Sequence, residues 1–353
     1  MRIGRTTRIM TDRDRENPFE QDGNKRRFMV SLYYPAAVSG SAVAPGYPAL
    51  FHPGEEIAID SFKRFGADTD YLTALRTDVH ENAPIIEGVY PIIVLSPAFG
   101  IERDMYWCHI YNLVVKGFIV ITVGATYDAV FTVFPDGEHI PQLEALSNLQ
   151  SSDVEAWESL VTIRTKDLHY VLDRLPELNA ADALLRNKLD LERMGLMGHS
   201  LGGAAVYRVL KENASIKAGI LLDPSLHLLG TDTSPLTTPI LLMRQNSSTY
   251  EMLIQNGWDE ALARDTMKGQ ACLNRTLIGY KSFIKVDDAN HVTFSDVPIH
   301  FNESGIKAKH QIMSELITSF MQEFVCDQTD AYTKRVGAVS GISLIDRDGY
   351  EIN

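Results

Sequence analysis

Short runs of apolar residues alternate with longer amphipathic stretches along most of this chain. Predicted strands lie at residues 92–95, 118–123, 191–197, 218–222, 239–243 and 280–286, and that at 92–95 is a continuous apolar run. Between them, apolar residues recur at helical spacing over residues 104–116, 152–175, 201–210 and 305–325. A strand that is apolar throughout is buried on both faces, and alternation of such strands with helices predicts a mainly parallel, doubly wound α/β sheet.

The start of the chain and three later segments differ from this alternation. Polar and apolar residues alternate at 2–10 and 28–34 around a turn-rich stretch, which predicts an antiparallel hairpin that opens the sheet. Residues 35–84 are rich in glycine, proline and alanine, and we expect an irregular insertion over the sheet edge or the mouth of the site. Insertions are also expected at about 127–150, rich in loops, and 249–278, helical. All of these segments are expected to belong to one domain that spans the whole chain, residues 1–353.

One short motif carries the strongest chemical signal. Gly198-His199-Ser200-Leu201-Gly202 fits the pattern Gly-x-Ser-x-Gly, in which a serine occupies a sharp turn between a strand and a helix. The two glycines leave room for a strained backbone, and the N-terminal N–H groups of the helix face a developing oxyanion. A predicted strand precedes the motif and a helix rich in small residues follows it, as in the α/β-hydrolase fold. Ser200 is therefore the candidate nucleophile.

The acid that orients the base should follow the serine in the chain, because α/β-hydrolases use the order Ser, acid, His. Asp223 stands at the carboxyl end of the predicted strand 218–222, and no other acid ends a strand between Ser200 and the last histidines. We predict that Asp223 is this acid, although an aspartate before proline is also a common loop opener. Asp287 and Asp288 are the alternatives.

The base should lie in the loop after the last strand. His291 occupies that loop, whereas His300 lies further along the chain and His310 lies inside the terminal helix. His291 is therefore the predicted general base, with His300 and His310 as rivals. His227 follows Asp223 closely and is expected to be a lid residue or an exposed residue.

An oxyanion hole in this fold takes one backbone N–H from the residue after the nucleophile and one from the loop after the third strand. Leu201 would supply the first. The second should come from the loop at residues 96–100, where we predict Phe99. The side chain of Phe99 would also line the acyl pocket.

Composition narrows the classes of partner. The net charge of −13 argues against nucleic acid or an anionic membrane surface as a partner. The basic run Lys25-Arg26-Arg27 is predicted to be the solvated end of the hairpin turn. No apolar run is long enough to span a bilayer, and no signal peptide is visible, so we expect a cytoplasmic protein unless a leader was removed. No sequence feature specifies an oligomeric state.

No metal or cofactor is expected. Cys108, Cys272 and Cys326 are far apart and odd in number, which argues against a disulfide framework, and no Cys/His spacing suggests zinc. Arg164 falls on the apolar stripe of the helix 152–175. We expect it to form a structural ion pair, with Asp167 or with an acid at a strand end.

The chain resembles the platelet-activating factor acetylhydrolase family of the plasma and intracellular type II kind, particularly its bacterial members. The segments that carry the resemblance are Gly4-Arg5-Thr6-Thr7-Arg8, Tyr34-Pro35-Ala36, residues 96–100, Lys116-Gly117-Phe118-Ile119-Val120, residues 198–203, Leu222-Asp223 and His291-x-x-Phe294-x-Asp296. The resemblance implies an α/β-hydrolase fold, a triad of Ser200, Asp223 and His291, and a second oxyanion amide at Phe99. Members hydrolyse short or oxidised sn-2 acyl chains of phospholipids without calcium. Pro97-Ala98 departs from the His-Gly that is common in this loop.

The sequence therefore predicts a serine carboxylic ester hydrolase for short acyl esters, with a small-molecule or lipid ester as substrate. Dienelactone hydrolase-like or peptidase activity on the same fold is an alternative, because a fold does not determine its substrate. A non-catalytic α/β-hydrolase-like binding protein is a further alternative, against which the complete triad in chain order argues.

Overall fold

A computed structural model describes residues 2–20, 23–38, 44–230 and 232–352. Its strands are β1 (Arg2–Glu16), β2 (Lys25–Ala36), β3 (Val79–Glu81), β4 (Tyr90–Ser96), β5 (Ile119–Val123), β6 (Phe131–Val133), β7 (His139–Pro141), β8 (Leu189–His199), β9 (Ala218–Leu222), β10 (Ile240–Arg244), β11 (Lys281–Val286) and β12 (Ile342–Leu344). Its helices are α1 (Glu55–Arg64), α2 (Thr69–Ala74), α3 (Trp107–Val115), α4 (Glu144–Ser147), α5 (Val154–Ala181), α6 (Leu201–Glu212), α7 (Tyr250–Gln255), α8 (Glu260–Thr276), α9 (Val297–His300), α10 (Ile306–Phe324) and α11 (Thr333–Val336). Short 3₁₀ helices lie at Tyr47–Phe51, Leu226–Leu228 and His291–Phe294.

The main sheet has the strand order β12-β11-β10-β9-β8-β4-β5-β2-β1-β3. The six central strands, β11 to β5 in that order, are parallel, whereas β2 is antiparallel to both β5 and β1. This is the α/β-hydrolase fold, and the predicted mainly parallel sheet with an antiparallel N-terminal hairpin is confirmed. The carboxyl ends of β4, β8, β9, β10 and β11 meet at one edge, where loops from distant parts of the chain are brought together.

Helices cover both faces of the sheet, as the continuous apolar runs require. Along β4, Ile92 and Val94 pack into the core beneath α5 and α6, while Ile93 and Leu95 pack into the core beneath α3 and α10. Successive residues of a strand point to opposite faces, so a strand covered on both sides must be apolar at every position. No helix in the described ranges has both the length and the hydropathy needed to cross a membrane.

The N-terminal hairpin is longer than predicted and is held by a close contact. Gly4 lies opposite Tyr34 in the β1–β2 register, and a β-carbon at Gly4 would come within 2.0 Å of the Tyr34 ring. Any side chain at this position would therefore displace the ring. This explains why a glycine in the first motif accompanies a tyrosine in the second.

Two expectations for the outer parts of the fold are wrong. The segment 35–84 is not irregular, because its described residues contain α1, α2, a 3₁₀ helix and the edge strand β3. Arg26 is not solvated: it lies on the same face of β2 as Phe28, and its guanidinium pairs with Asp167 at 2.7 Å in the interior. An interior arginine is stable only with such a partner. Segment 127–150 contains the small β6–β7 hairpin and α4, and segment 249–278 contains α7 and α8.

Candidate active site

Ser200 occupies the turn between β8 and α6. Its φ of +53° lies in the left-handed region that residues other than glycine rarely adopt. A β-carbon at Gly198 would come within 2.4 Å of the Gly202 carbonyl oxygen, and one at Gly202 within 2.3 Å of the Ser96 oxygen. Only glycine therefore fits at the two flanking positions of the motif, because the turn folds tightly against itself and against the end of β4.

His291 bridges Ser200 and Asp223, although the three residues come from separate loops. Its Nε2 lies 2.9 Å from Ser200 Oγ, and its Nδ1 lies 2.6 Å from Asp223 Oδ2. A carboxylate can only accept, so Nδ1–H donates to Asp223 and the lone pair of Nε2 accepts from the serine hydroxyl. In this tautomer the imidazole can take a proton from Ser200.

The position of Asp223 is fixed by a buried ion pair that sequence reasoning missed. Arg244 Nε donates to Asp223 Oδ1 at 3.0 Å, and the backbone N–H of Gln245 donates to the same oxygen at 3.3 Å. Burial would by itself raise the pKa of Asp223. The charge of Arg244 and the hydrogen bond from His291 outweigh burial and lower that pKa to about 2. Asp223 is therefore an anion throughout the neutral range.

The alternative acids and bases lie elsewhere. His300 Nε2 is 2.9 Å from Tyr47 Oη, and burial lowers the pKa of His300 to about 3. His310 donates from Nε2 to the Thr293 carbonyl at 2.9 Å. Neither histidine lines a cavity beside Ser200. His310 is bonded to the 3₁₀ helix that carries His291, whereas the ring of His300 packs against Tyr47 and Phe62. Asp287 and Asp288 make no hydrogen bond to His291 within the described parts of the chain.

The loop after β4 is held from below by Arg164. This interior side chain pairs with Asp128 at 2.5 Å, and it donates to the carbonyls of Pro97 and Ala98. The predicted ion pair is present, with Asp128 as the partner rather than Asp167. Since C=O and N–H of a trans peptide point in opposite directions, the Phe99 N–H is directed away from Arg164.

Two backbone donors at the site have no partner among the residues that the structure describes. Among the described residues, neither the Phe99 N–H nor the Leu201 N–H donates to another protein group. Leu201 is the first residue of α6, where an N–H has no intrahelical acceptor. Two free N–H groups beside a serine hydroxyl can stabilise an oxyanion.

Two cavities open beside Ser200 and His291, and Ser225 and His227 line both of them. The cavity that we call the Phe99 cavity has a volume of about 330 Å³ and is also lined by Phe99, Trp157, Leu201, Leu228 and Leu262. The second, the Trp258 cavity, has a volume of about 240 Å³ and is also lined by Pro224, Leu226, Trp258, Thr266 and Arg244. Phe99 faces Trp157 edge to face, with 4.9 Å between the ring centroids. Burial lowers the pKa of His227, so this lining residue is neutral at neutral pH.

Helix α8 forms a wall of both cavities, and Trp258, two residues before it, forms a wall of the Trp258 cavity. The segment 249–278, predicted as a helical insertion, contributes Leu262 to the Phe99 cavity and Trp258 and Thr266 to the Trp258 cavity. A larger cleft of about 850 Å³ lies between β1 and α5, and it includes none of the residues around Ser200. The chemistry and the concave apolar surface therefore coincide at Ser200 and not at the larger cleft.

One group of described residues has the side chains of a metal site. Cys108, Asp296 and His310 each place a ligand atom within 4.8 Å of the others. The Asp296 carboxylate already accepts from the N–H groups of Trp107 and Cys108, which open α3, and from Tyr47 Oη. Capping of α3 therefore explains why this acid is buried. Cys108, Asp296 and His310 do not line the cavities beside Ser200.

Comparison with known proteins decides the family. The model of the family described as platelet-activating factor acetylhydrolase, isoform II, matches residues 18–315, which is most of the chain. The chain belongs to this family. Platelet-activating factor acetylhydrolase of Cavia porcellus is 27% identical over 63% of the chain and 55% of its own length. Cutinase 1 of Thermobifida cellulosilytica is 26% identical over 47% of the chain and 51% of its own length. The chain thus spans about half the length of the curated relatives it matches.

A solved structure supports the same fold for this acetylhydrolase family member. The ferulic acid esterase from Streptomyces cinnamoneus superposes with a TM-score of 0.76 over 98% of this chain and 96% of the other, at 22% identity. At this identity the likeness establishes the α/β-hydrolase architecture and leaves the substrate to the residues of the site.

Four residues around the site of this family member were not singled out from the sequence. Arg244 donates to Asp223, and Gln270 Oε1 accepts from Arg244 Nη1 at 2.8 Å. Tyr106 and His199 form hydrogen bonds beneath the nucleophile turn. The sequence signal for these residues was weak: Arg244 directly follows the apolar run 239–243, and His199 is one of the two variable residues of the serine motif.

Proposed function

We propose that this protein is a serine carboxylic ester hydrolase that acts on short acyl esters. The observation that carries the proposal is His291, whose two ring nitrogens contact Ser200 Oγ and Asp223 Oδ2 at 2.9 and 2.6 Å. Relatives whose names are acetylhydrolase, cutinase and ferulic acid esterase support ester chemistry for this chain.

The reaction proceeds in two halves. Ser200 Oγ attacks the carbonyl carbon while His291 Nε2 takes the hydroxyl proton, and Asp223 stabilises the imidazolium that forms. The tetrahedral intermediate then breaks its bond to the alcohol oxygen, and His291 gives its proton to that oxygen. Water attacks the acyl-serine with His291 again as the base, and the acid leaves as the proton returns to Ser200.

Charge on the carbonyl oxygen is stabilised by backbone groups. The N–H groups of Leu201 and Phe99 have no acceptor among the described residues, so a substrate oxygen can receive both. Because these donors are fixed by α6 and by the loop that Arg164 holds, they need no reorganisation as charge develops. Each such donor contributes roughly 10²–10³-fold to turnover in serine hydrolases.

The two cavities give room for an ester on both sides of its carbonyl group. Both contain Ser200 and His291, and the Phe99 cavity is bounded by aromatic and aliphatic side chains. Such a cavity accepts a small apolar group. A short-chain phospholipid or another small ester is the proposed substrate class.

Labelling combined with an ester series tests the proposal. A fluorophosphonate should modify Ser200 alone, as read by peptide mass spectrometry, and Ser200→Ala should reduce kcat by on the order of 10⁴-fold or more. The purified protein should hydrolyse nitrophenyl acetate and butanoate faster than octanoate. Ser234→Ala is the control, because Ser234 is exposed and bonded to Asp232 outside the site. Labelling of a different serine, or unchanged turnover in Ser200→Ala, would refute the assignment.

A further inference from the structure

A chain of buried hydrogen bonds runs beneath Ser200 between the loops that carry Phe99 and His291. The Ala98 N–H donates to Tyr106 Oη at 2.8 Å, and Tyr106 Oη lies 3.0 Å from His199 Nδ1. His199 Nε2 lies 3.0 Å from the backbone oxygen of His291. Tyr106 and His199 are completely buried, so water cannot replace these contacts.

The direction of each hydrogen bond in this series is determined by the groups at the two ends of the series. The His291 carbonyl can only accept, so His199 carries its proton on Nε2 and has a free lone pair on Nδ1. Tyr106 already accepts from Ala98, and its single hydroxyl proton is therefore donated to His199 Nδ1. Burial and the neighbouring His291 lower the pKa of His199, which keeps this imidazole neutral as the arrangement requires.

The two ends of this series of hydrogen bonds are adjacent to the reacting groups. Ala98 precedes Phe99, whose N–H is the proposed oxyanion donor. The Ala98 carbonyl accepts a hydrogen bond from Arg164. His291 supplies both the carbonyl that accepts from His199 and the imidazole that faces Ser200, and the two histidine rings are 4.9 Å apart. A shift of either loop would change the distance between nucleophile, base and oxyanion donors.

We propose that Tyr106 and His199 are positioning residues that fix the oxyanion loop relative to the loop of the general base. This inference rests on the proposed esterase function and adds a role for His199, the first of the two variable residues in the serine motif. Neither side chain lines the cavities beside Ser200, so both act through Ala98 and His291 rather than on the substrate.

Kinetics of conservative variants test this role. Tyr106→Phe removes one oxygen and leaves the Ala98 N–H and His199 Nδ1 without partners. We expect kcat for nitrophenyl acetate to fall about 10-fold to 100-fold, because a displacement of about 1 Å has that effect on a preorganised site. KM should change by less than about threefold, since binding contacts are kept. Rates are expressed per fluorophosphonate-reactive site, which removes unfolded protein from the comparison.

Tyr34→Phe is the matched control. Tyr34 is as buried as Tyr106, but its hydroxyl has no hydrogen-bond partner among the described residues, so its loss should leave kcat unchanged. His199→Phe and the Tyr106→Phe/His199→Phe double variant complete a cycle. If the two residues act as one unit, the fold-decrease in kcat of the double variant should be smaller than the product of the fold-decreases of the two single variants.

A measurement on the unsubstituted protein does not depend on variants that fold. Nitrogen-15 NMR of histidine-labelled protein should assign His199 as the neutral Nε2–H tautomer. An Nδ1–H tautomer of His199 would overturn the proposal. A Tyr106→Phe variant whose kcat matches that of Tyr34→Phe would also overturn it, when the unsubstituted protein shows normal Ser200-dependent turnover. Absence of any Ser200-dependent turnover in the unsubstituted protein would instead refute the esterase function, and the positioning role with it.

Discussion

Replacing Asp223 by asparagine tests the electrostatic design of the site and the assignment of the acid together. The change keeps the size of the side chain but removes the charge that faces Arg244 and His291. Asparagine can also donate from its amide nitrogen, which favours a histidine tautomer with the proton on Nε2. That tautomer cannot accept the proton of Ser200, so kcat should fall by about 10²–10⁴-fold.

The effect on stability follows from the pKa of the carboxyl group. The pKa of Asp223 is lowered from 3.8 to about 2, a difference that corresponds to about 2 kcal/mol in favour of the folded protein at neutral pH. The variant also leaves Arg244 without its anion in the interior, and breaking a buried pair costs about 3–5 kcal/mol. We therefore expect the free energy of unfolding to fall by about 2–5 kcal/mol.

The pH dependence of this loss has a defined sign. A carboxyl group whose pKa is lowered on folding stabilises the protein above its unfolded pKa, and the stabilisation disappears as the pH falls through the folded pKa. The difference in unfolding free energy between the two proteins should therefore be constant above about pH 5 and shrink between about pH 4 and pH 2. Urea titrations at several pH values measure it.

Asp287→Asn is the comparison, because Asp287 is one of the two alternative acids and makes no hydrogen bond to His291 in the described chain. It should keep kcat within about twofold. Greater damage from Asp287→Asn, or a kcat of Asp223→Asn within about tenfold of normal, would show that Asp223 does not orient the base.

Two further predictions concern the independence of turnover from metal ions and the shape of the acyl pocket. Chelators should leave kcat unchanged, because His291 and two backbone N–H groups supply the proton transfer and the charge stabilisation; a loss reversed by calcium would contradict the mechanism. Phe99→Ala should relax the preference for short acyl chains while acetyl ester turnover stays within about tenfold, because the backbone N–H remains and each newly buried methylene adds about 0.8 kcal/mol of binding. An unchanged profile across acetyl to octanoyl esters would mean that the ring only packs against Trp157.

Much of the fold was predictable because the signal is local. Mainly apolar runs indicated the central strands, and the glycines around Ser200 indicated the turn, since each pattern reflects burial or steric limits of a few neighbouring residues. Segment 35–84 was misjudged because its helices are short: α1 has 10 residues and α2 has 6. Arg26 was misjudged because a charged strand residue becomes buried only when a distant helix supplies its partner, here Asp167 on α5.

Some of the residues that support the candidate site could have been predicted from the sequence and the strand order, and others could not. Arg244 follows Met243, which pairs with Leu222 in the register of β10 and β9, so Arg244 and Asp223 come from equivalent ends of adjacent parallel strands. Once the strand order of an α/β-hydrolase is accepted, their ion pair follows from that register. The contact between Tyr106 and His199 has no such rule, because Tyr106 lies between β4 and α3 in a loop whose path depends on Arg164. Strand register can therefore identify the group that orients the acid, whereas the link between base and oxyanion loop requires the folded structure.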